Sequence, residues 1–301
     1  MSGILNLPKI SIVTPSFNQG QFLEETIKSV LNQGYPNLEY IIIDGGSTDN
    51  SVEIIKKYAS YIKYWVSEKD LGQADAINKG LKYCTGDIFN WLNSDDFLES
   101  GSLIKIAREF EESGADMIAG VVRVFSIENE SYVENKNLTA KGLVRWDTGV
   151  NFVQPGVWML TKNIEKCKGI DISFHYAFDW DLYIRYLYYF PKVREINDTL
   201  VHFRLHPDSK TQTFRERFKQ EEIRIIEKLG DIPQFYKLHE VCNFKIQKWK
   251  WTNFLSSESK SKKKFLQKIL NTLRLMKKYS KVSYSRQTLG AFKAYWLNKE
   301  I

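Results

Sequence analysis

Four short apolar runs punctuate the first hundred residues, and each stops at a turn or a polar cluster. The first, Lys9-Ile10-Ser11-Ile12-Val13-Thr14, ends at Pro15, which lacks a backbone donor, fixes φ and forces a turn. The second, Leu38 to Ile43, runs into Asp44-Gly45-Gly46-Ser47-Thr48-Asp49. The third is Lys63-Tyr64-Trp65-Val66, and the fourth (Ile88, Phe89, Trp91, Leu92) meets Asn93-Ser94-Asp95-Asp96. Continuous apolar runs of this length suit strands buried on both faces. Between them apolar residues recur at helical spacing: Phe22, Leu23, Ile27, Val30 and Leu31, then Val52, Ile54 and Ile55, then Ala74, Ala76, Ile77 and Leu81. The pattern predicts helices over 50–58 and 73–83 and a parallel sheet with helices on both faces. A helix over 100–111 and a strand over 116–125 extend it.

After residue 125 the pattern loosens. Residues 126–150 are polar and turn-rich. Val153 to Leu160 reads as a strand interrupted by Gln154-Pro155-Gly156, Phe178 to Tyr189 as an aromatic helix, and Thr199 to Leu205 as a short strand before His206-Pro207. Beyond 211 the chain reads as helical. An amphipathic stretch from Phe214 to Leu229 stops at Gly230, and an aromatic, basic stretch runs from Phe235 to Leu255. A charged, serine-rich connector over 256–264 then leads to a second amphipathic stretch from Phe265 to Met276. The expected division is a domain over 1–211 and a helical region over 212–301, with no internal repeat.

Charge sharpens that division. The net +7 is uneven: residues 1–211 hold 22 Lys/Arg against 28 Asp/Glu, net −6, and residues 212–301 hold 21 against 8, net +13. The tail reads either as a solvated helical appendage or as a stretch, Lys262–Lys281, that docks on an anionic membrane surface. Nucleic acid is not expected as a partner, because no recognised module accompanies the charge. Cys84, Cys167 and Cys242 make no metal spacing and no disulfide framework, which suits a reducing compartment. Met1 to Lys9 lacks the features of a signal peptide, and no stretch reaches the roughly 18 apolar residues of a spanning helix. The expectation is a cytoplasmic protein, with peripheral attachment at the inner face of the membrane as the alternative for its tail.

In a parallel sheet the clusters Thr14-Pro15-Ser16, Asp44-Gly45-Gly46-Ser47 and Ser94-Asp95-Asp96 share the edge where ligands sit. Each alone reads as a turn; together they predict a pocket. Gly45-Gly46 lets backbone approach a ligand, and Asp44 suits hydrogen bonds from a base or ribose. Adjacent Asp95 and Asp96 repel unless a positive group joins them. A hard divalent cation is the usual remedy, although either residue also suits a helix cap. The absence of a Gly-x-Gly-x-x-Gly or Walker loop argues against a dinucleotide fold or a phosphate-cradle ATPase.

The ordered set Thr14-Pro15-Ser16-Phe17-Asn18, Ser29-Val30-Leu31-Asn32-Gln33, Asp44-Gly45-Gly46-Ser47-Thr48-Asp49, Asn78-Lys79-Gly80, Thr85-Gly86-Asp87 and Asn93-Ser94-Asp95-Asp96 resembles the inverting glycosyltransferases of family 2. The resemblance is dense over 8–125 and looser to about 211. It implies an α/β fold of the GT-A type, a nucleoside diphosphate sugar donor (UDP is the expected nucleotide) and Mn²⁺ or Mg²⁺. The sugar would pass with inversion to a hydroxyl of a glycan or lipid-linked acceptor in surface polysaccharide synthesis.

By position, the resemblance places Pro15, Ser16, Asn18, Asp44 and Gly45 at the nucleoside, Asp75 and Asn93 on the donor side, Asp95 at ribose and metal, and Asp96 at the metal. Many relatives carry Asp where this chain has Asn93, so which carboxylate meets the ion stays open. Phe178-Asp179-Trp180-Asp181-Leu182 resembles the Glu-Asp-x-Asp-Leu segment, with Phe178 in place of Glu. Asp179 falls at the general base, which takes the acceptor hydroxyl's proton; Asp also suits a helix cap there. Asp181 is expected to orient neighbours, and Gln154-Pro155 to lie on the acceptor side. Phe203-Arg204-Leu205-His206-Pro207-Asp208-Ser209 resembles a closing loop, with His206 reaching metal or diphosphate and Arg204 pairing with phosphate. Asp75 as an exposed helix residue and His206 as a structural one remain the plainer alternatives. Two rival functions fit the same pocket: a non-catalytic nucleotide-sugar-binding subunit of a glycan assembly complex, and a nucleotidyltransferase.

Overall fold

The computed structural model describes residues 7–146, 149–207, 209–210, 214–259, 265–278, 293 and 296. The chain divides into two compact units, Met1–Glu221 and Glu222–Ile301.

In the first unit β1 (Ile10–Ser16), β2 (Leu38–Asp44), β3 (Tyr64–Ser67) and β4 (Ile88–Trp91) pair in the order β3-β2-β1-β4, all parallel. β1 is buried along its whole length, as a strand covered on both faces must be. Alternate side chains go to opposite layers. Ile10, Ile12, Tyr40 and Ile42 join a core with Leu23, Ile27 and Val30 of α1 (Gly20–Leu31) and Ile55 of α2 (Ser51–Lys57). On the other face α3 (Gln73–Leu81) approaches so closely that a Cβ on Gly80 would lie 2.5 Å from Val13. Helices on both faces are therefore observed, as the alternating pattern requires.

The sheet then departs from a simple parallel continuation. β8 (Val157–Leu160) lies antiparallel between β4 and β6 (Met117–Phe125), so β6 keeps the direction of β4 without touching it. β9 (Val193–Arg204) runs parallel to β6, with a register shift between Ala119 and Val122. β5 (Phe97–Leu98) pairs antiparallel with β9, and β7 (Glu130–Glu134) antiparallel with β6. β9 starts six residues before the strand expected at Thr199. Its first half, interrupted by Glu195 and Asp198, has no apolar alternation and is extended through its pairing with β6. Residues 126–150, expected as loop, contain β7 and the helix α5 (Ala140–Arg145), whose cap Thr139 accepts from Gly142 N at 3.0 Å. The helices α4 (Ser102–Ser113), α6 (Thr161–Lys166) and α7 (Phe178–Tyr189) complete the layers.

α8 (Arg215–Asp231) begins in the first unit and continues into the second, which also holds α9 (Tyr236–Ser259) and α10 (Phe265–Lys278). Ile225, Ile226, Leu229, Leu238, Cys242 and Leu275 are buried there. α9 runs on through Ser259, into the expected connector; the rest of that connector, 260–264, lies outside the described residues. Of the proposed docking stretch, only 265–278 is described. No described helix is long and apolar enough to cross a membrane.

Candidate active site

Ser16 and Asp44 are register partners where β1 and β2 end, and Gly45 N donates to Ser16 O at 2.8 Å. Asp44 is fully buried. Its carboxylate accepts from Gly46 N (3.1 Å), Ser47 N (2.9 Å), Ser47 Oγ (2.6 Å) and Ser67 Oγ (2.6 Å). Four donors, three of them on Oδ2, engage this carboxylate, so Asp44 shapes the turn. Asn18 adopts φ 51°, a conformation Asn tolerates. Its N–H donates to Ser47 Oγ at 2.8 Å and its Oδ1 accepts from Thr48 N at 2.8 Å, fastening the two loops together. Asp49 accepts from Gly20 N and Ser51 N and secures the starts of α1 and α2. Pro15 is buried, whereas Phe17 is 60% exposed beside it. A Cβ on Gly45 would lie 2.7 Å from Asp70 Oδ2. Gly45 thus admits Asp70, a residue that no sequence pattern singled out.

At the end of β4 the two acidic neighbours separate. Asp96 is fully buried: Oδ1 accepts from Arg204 N at 3.0 Å and Oδ2 from Asn93 Nδ2 at 3.1 Å. Burial, reinforced by Asp95, pushes its carboxyl well above the usual range. Asp95 keeps 21% of its side chain exposed, with Oδ2 3.0 Å from His206 Nε2. The Asp96 carboxylate is therefore enclosed and ties the end of β4 to β9. Arg204 is held by the same framework. Its Nε donates to Asp95 O at 3.1 Å, its Nη2 pairs with Glu25 at 2.5 Å, and its guanidinium lies 4.9 Å from the Phe22 ring and 4.8 Å from the Phe125 ring.

Asn93 donates to Asp96 and accepts from Gln73 Nε2 at 2.7 Å. An aspartate here could not donate, and would add a third anion. Lys210 Nζ in turn donates to Gln73 Oε1 at 2.9 Å. Crowding pushes the Lys210 ammonium down, opposed by Glu221, Asp70, Asp179 and Asp95. This cation in the field of four carboxylates was not legible in the sequence, since a lone lysine carries no pattern. Asp75 accepts from Leu71 N at 3.0 Å and lies 3.6 Å from Lys79 Nζ, engaged at the start of its own helix.

Asp179 stands in the first turn of α7, and its Oδ1 accepts from Trp180 N at 2.7 Å. Burial pushes its carboxyl up to about 6, helped by Glu221 and opposed by backbone amides and Lys210. Asp181 is fully buried and bonded to Arg185, which also donates to Cys167 O and Gly169 O, so it orients neighbours as expected. Gln154 Nε2 donates to Trp91 O at 3.0 Å and Asn90 Oδ1 at 3.2 Å, binding the start of β8 to β4. Beside it lies an aromatic group of Trp146 (47% exposed), Phe152, Trp180 and Tyr183. A separate groove, lined by Cys84, Thr85, Asp87, Thr161 and Lys162, opens at the other end of β4, away from these carboxylates.

Among the described residues no three His, Cys, Asp or Glu side chains form a metal cage. The Asp95–His206 pair offers one oxygen and one nitrogen. That donor set suits a divalent ion whose other positions are filled by ligand oxygens and water.

The family described as Glycosyl transferase family 2 matches residues 11–169. An uncharacterized glycosyltransferase of Haemophilus influenzae is 41% identical over 104 residues, 34% of this chain and 42% of its own. A GalNAc(5)-diNAcBac-PP-undecaprenol beta-1,3-glucosyltransferase of Campylobacter jejuni is 32% identical over 141 residues, 46% of this chain and 44% of its own. The chain spans less than half the length of these curated relatives. Among solved structures, Staphylococcus aureus TarS 1–349 in complex with UDP-GlcNAc shares the fold, with TM-score 0.63 at 13% identity over 97% of this chain and 92% of that one. Mannosyltransferase PcManGT from Pyrobaculum calidifontis, in complex with GDP-Man and Mn²⁺, gives 0.62 at 16% identity over 98% and 86%.

Proposed function

The chain belongs to glycosyl transferase family 2, and from that we propose that it transfers one sugar, with inversion, from a nucleoside diphosphate sugar to a hydroxyl of a glycan or lipid-linked acceptor. The observation that carries the proposal is the Asp95–His206 pair, mostly buried but with a fifth of the Asp95 side chain open, at the carboxyl edge of a parallel sheet, in a site that also contains a carboxyl raised to about 6 at Asp179. The Mn²⁺ and GDP-Man of the mannosyltransferase neighbour, and the UDP-GlcNAc of the TarS neighbour, support a metal and a nucleotide sugar.

Pro15, Ser16, Asn18 and Gly45 form the nucleoside cradle, with the exposed Phe17 ring available to stack on a base. Asp44 holds the cradle's shape, and Asp75 and Asn93 steady the donor side. Asp95 and His206 would hold Mn²⁺ or Mg²⁺, while Asp96 and Arg204 fix the backbone from which Asp95 projects. Such an ion, when bound, offsets charge building on a departing diphosphate. Asp179, ionised above about pH 6, takes the proton from the acceptor hydroxyl as its oxygen attacks the anomeric carbon. The nucleotide leaves as its diphosphate.

The basic second unit suits an anionic leaflet. α10 exposes Leu270 and Leu273 on a face with Arg274 and Lys277, the mixture that interfacial helices use. Docking there would keep the chain at the surface where a lipid-linked acceptor resides.

The test is a panel of UDP-, GDP- and dTDP-sugars, with and without Mn²⁺. The readouts are nucleoside diphosphate release and the anomeric configuration of the product by NMR. Metal-dependent release with an inverted anomer is expected. Release of pyrophosphate, or nucleotide binding without turnover of any donor, defeats the proposal.

A further inference from the structure

Three consecutive backbone N–H groups converge on one carboxylate at the entrance of α7. Glu221 accepts from His175 N at 2.8 Å through one oxygen, and from Tyr176 N (2.7 Å) and Ala177 N (2.9 Å) through the other. Glu221 is only 6% exposed, so these charge-assisted bonds are shielded from water. Ala177 is the residue at which α7 begins, and it supplies no side-chain cap. A helix entrance leaves amides that need acceptors, and here the acceptor arrives from α8, more than forty residues away. Tyr176 is gripped by the same region. Its ring lies 5.4 Å from Phe214 and 5.5 Å from Phe218, and its hydroxyl accepts from Arg217 at 2.7 Å.

Asp179 sits two residues inside this clamp. The segment that bears His206 and Lys210 leads directly into α8, so one stretch of chain serves both the metal side and the base. Position 178 cannot provide the acidic neighbour. Phe178 is buried and packs 6.2 Å from Trp91, where an anion would have no partner. We propose that Glu221 is a positioning residue for Asp179, holding the start of α7 and supplying from α8 the negative charge that position 178 lacks. This rests on Asp179 being the base. The charged and titratable groups around Asp179 are Glu221 from α8, Lys210 from the segment before it and Tyr183 from α7 itself; Asp70 and Asp95 act on Lys210. Glu221 disfavours ionisation of Asp179, and Lys210 favours it.

The test uses the full chain as Glu221→Gln, which keeps an acceptor oxygen but removes the charge, and Glu221→Asp, which keeps the charge. The Asp179 carboxyl is titrated by ¹³C NMR without ligand, its signal assigned by loss in Asp179→Asn. The midpoint is expected to fall by about one unit in Glu221→Gln and to stay near the parent value in Glu221→Asp. With a donor that turns over, the acid limb of the rate profile moves by the same amount, kcat drops roughly tenfold and donor KM is unchanged. An unmoved midpoint in folded Glu221→Gln overturns the proposal. If that variant does not fold, amide exchange in the parent decides, because rapid exchange at 175–177 shows that the clamp does not exist. The titration needs no donor. A shifted midpoint in a protein that turns over no donor keeps the clamp and defeats the transfer reading, whereas turnover with an unmoved midpoint does the reverse.

Discussion

At the ends of β1 and β2, polar side chains answer one another across short spans: Asn18 with Ser47 and Thr48, Asp49 with Gly20, and Asp44 with Ser47 and Ser67. At the end of β4 the partners come from more than a hundred residues away, Asp95 meeting His206 and Asp96 the N–H of Arg204. The first arrangement is complete once two neighbouring β-α units have formed. The second exists only after β9 has paired with β6 and β5. One half of the site is therefore a preformed cradle, and the other half depends on the closure of the whole sheet.

The largest effect is expected at Asp179, the residue proposed as the base. Asp179→Asn should lower kcat by about 10³-fold with donor affinity nearly unchanged. The same variant should be more stable at pH 7–8. A carboxyl raised from its ordinary value to about 6 favours the neutral acid in the fold, so its contribution is present below about pH 4 and lost as pH rises through 6. Asn removes that loss, a gain of about 1–3 kcal/mol readable by calorimetry. In the parent, the transfer rate should climb with pH through about 6 and then level off.

The acidic pair gives the sharpest contrast. Asp95→Ala should abolish Mn²⁺-dependent transfer while the melting temperature hardly moves. Asp96→Ala, which strands Arg204 N and Asn93 Nδ2 in the interior, should cost about 3 kcal/mol of stability. Equal melting temperatures for the two would erase the distinction between an exposed ligand and a buried strut.

In the cradle the effects should be smaller and local. Ser47→Ala removes a donor to Asp44 and the acceptor of Asn18 N, and should cost about 1 kcal/mol and raise donor KM with little change in kcat. Smallest of all is Arg123→Ala, which breaks an ion pair with the exposed Glu130; a barely measurable change in melting temperature is expected, and a large loss of transfer there would mean the β6–β7 edge joins the site.

The four parallel strands and their helices were legible because each is a local pattern, an apolar run or a helical stripe that needs no distant partner. β8 was legible as a strand but not as the antiparallel insertion between β4 and β6, because direction and neighbour are properties of pairing. The early half of β9 and the elements within 126–150 were missed for the same reason. Of the candidate site, Asp95 and His206 meet across the sheet edge, and Asp179 stands in the first turn of α7. The bonds that Asp44, Asp96 and Arg204 make to the framework were not legible. An aspartate that binds and an aspartate that holds a loop are the same letter, and only burial and donors tell them apart.

The order of residues alone determined the alternating core, the polar strand ends, the mildly acidic body, the basic tail and the resemblance to family 2. Those follow from side-chain chemistry and spacing along the chain. Tertiary structure decided which of two adjacent carboxylates stays partly accessible, which cation feels Asp70, Asp95, Asp179 and Glu221, and that a glutamate on α8 receives the amides at the entrance of α7. The physical reason is that desolvation and hydrogen-bond geometry depend on what lies around a group in space, and that is set by contacts between segments far apart in the chain.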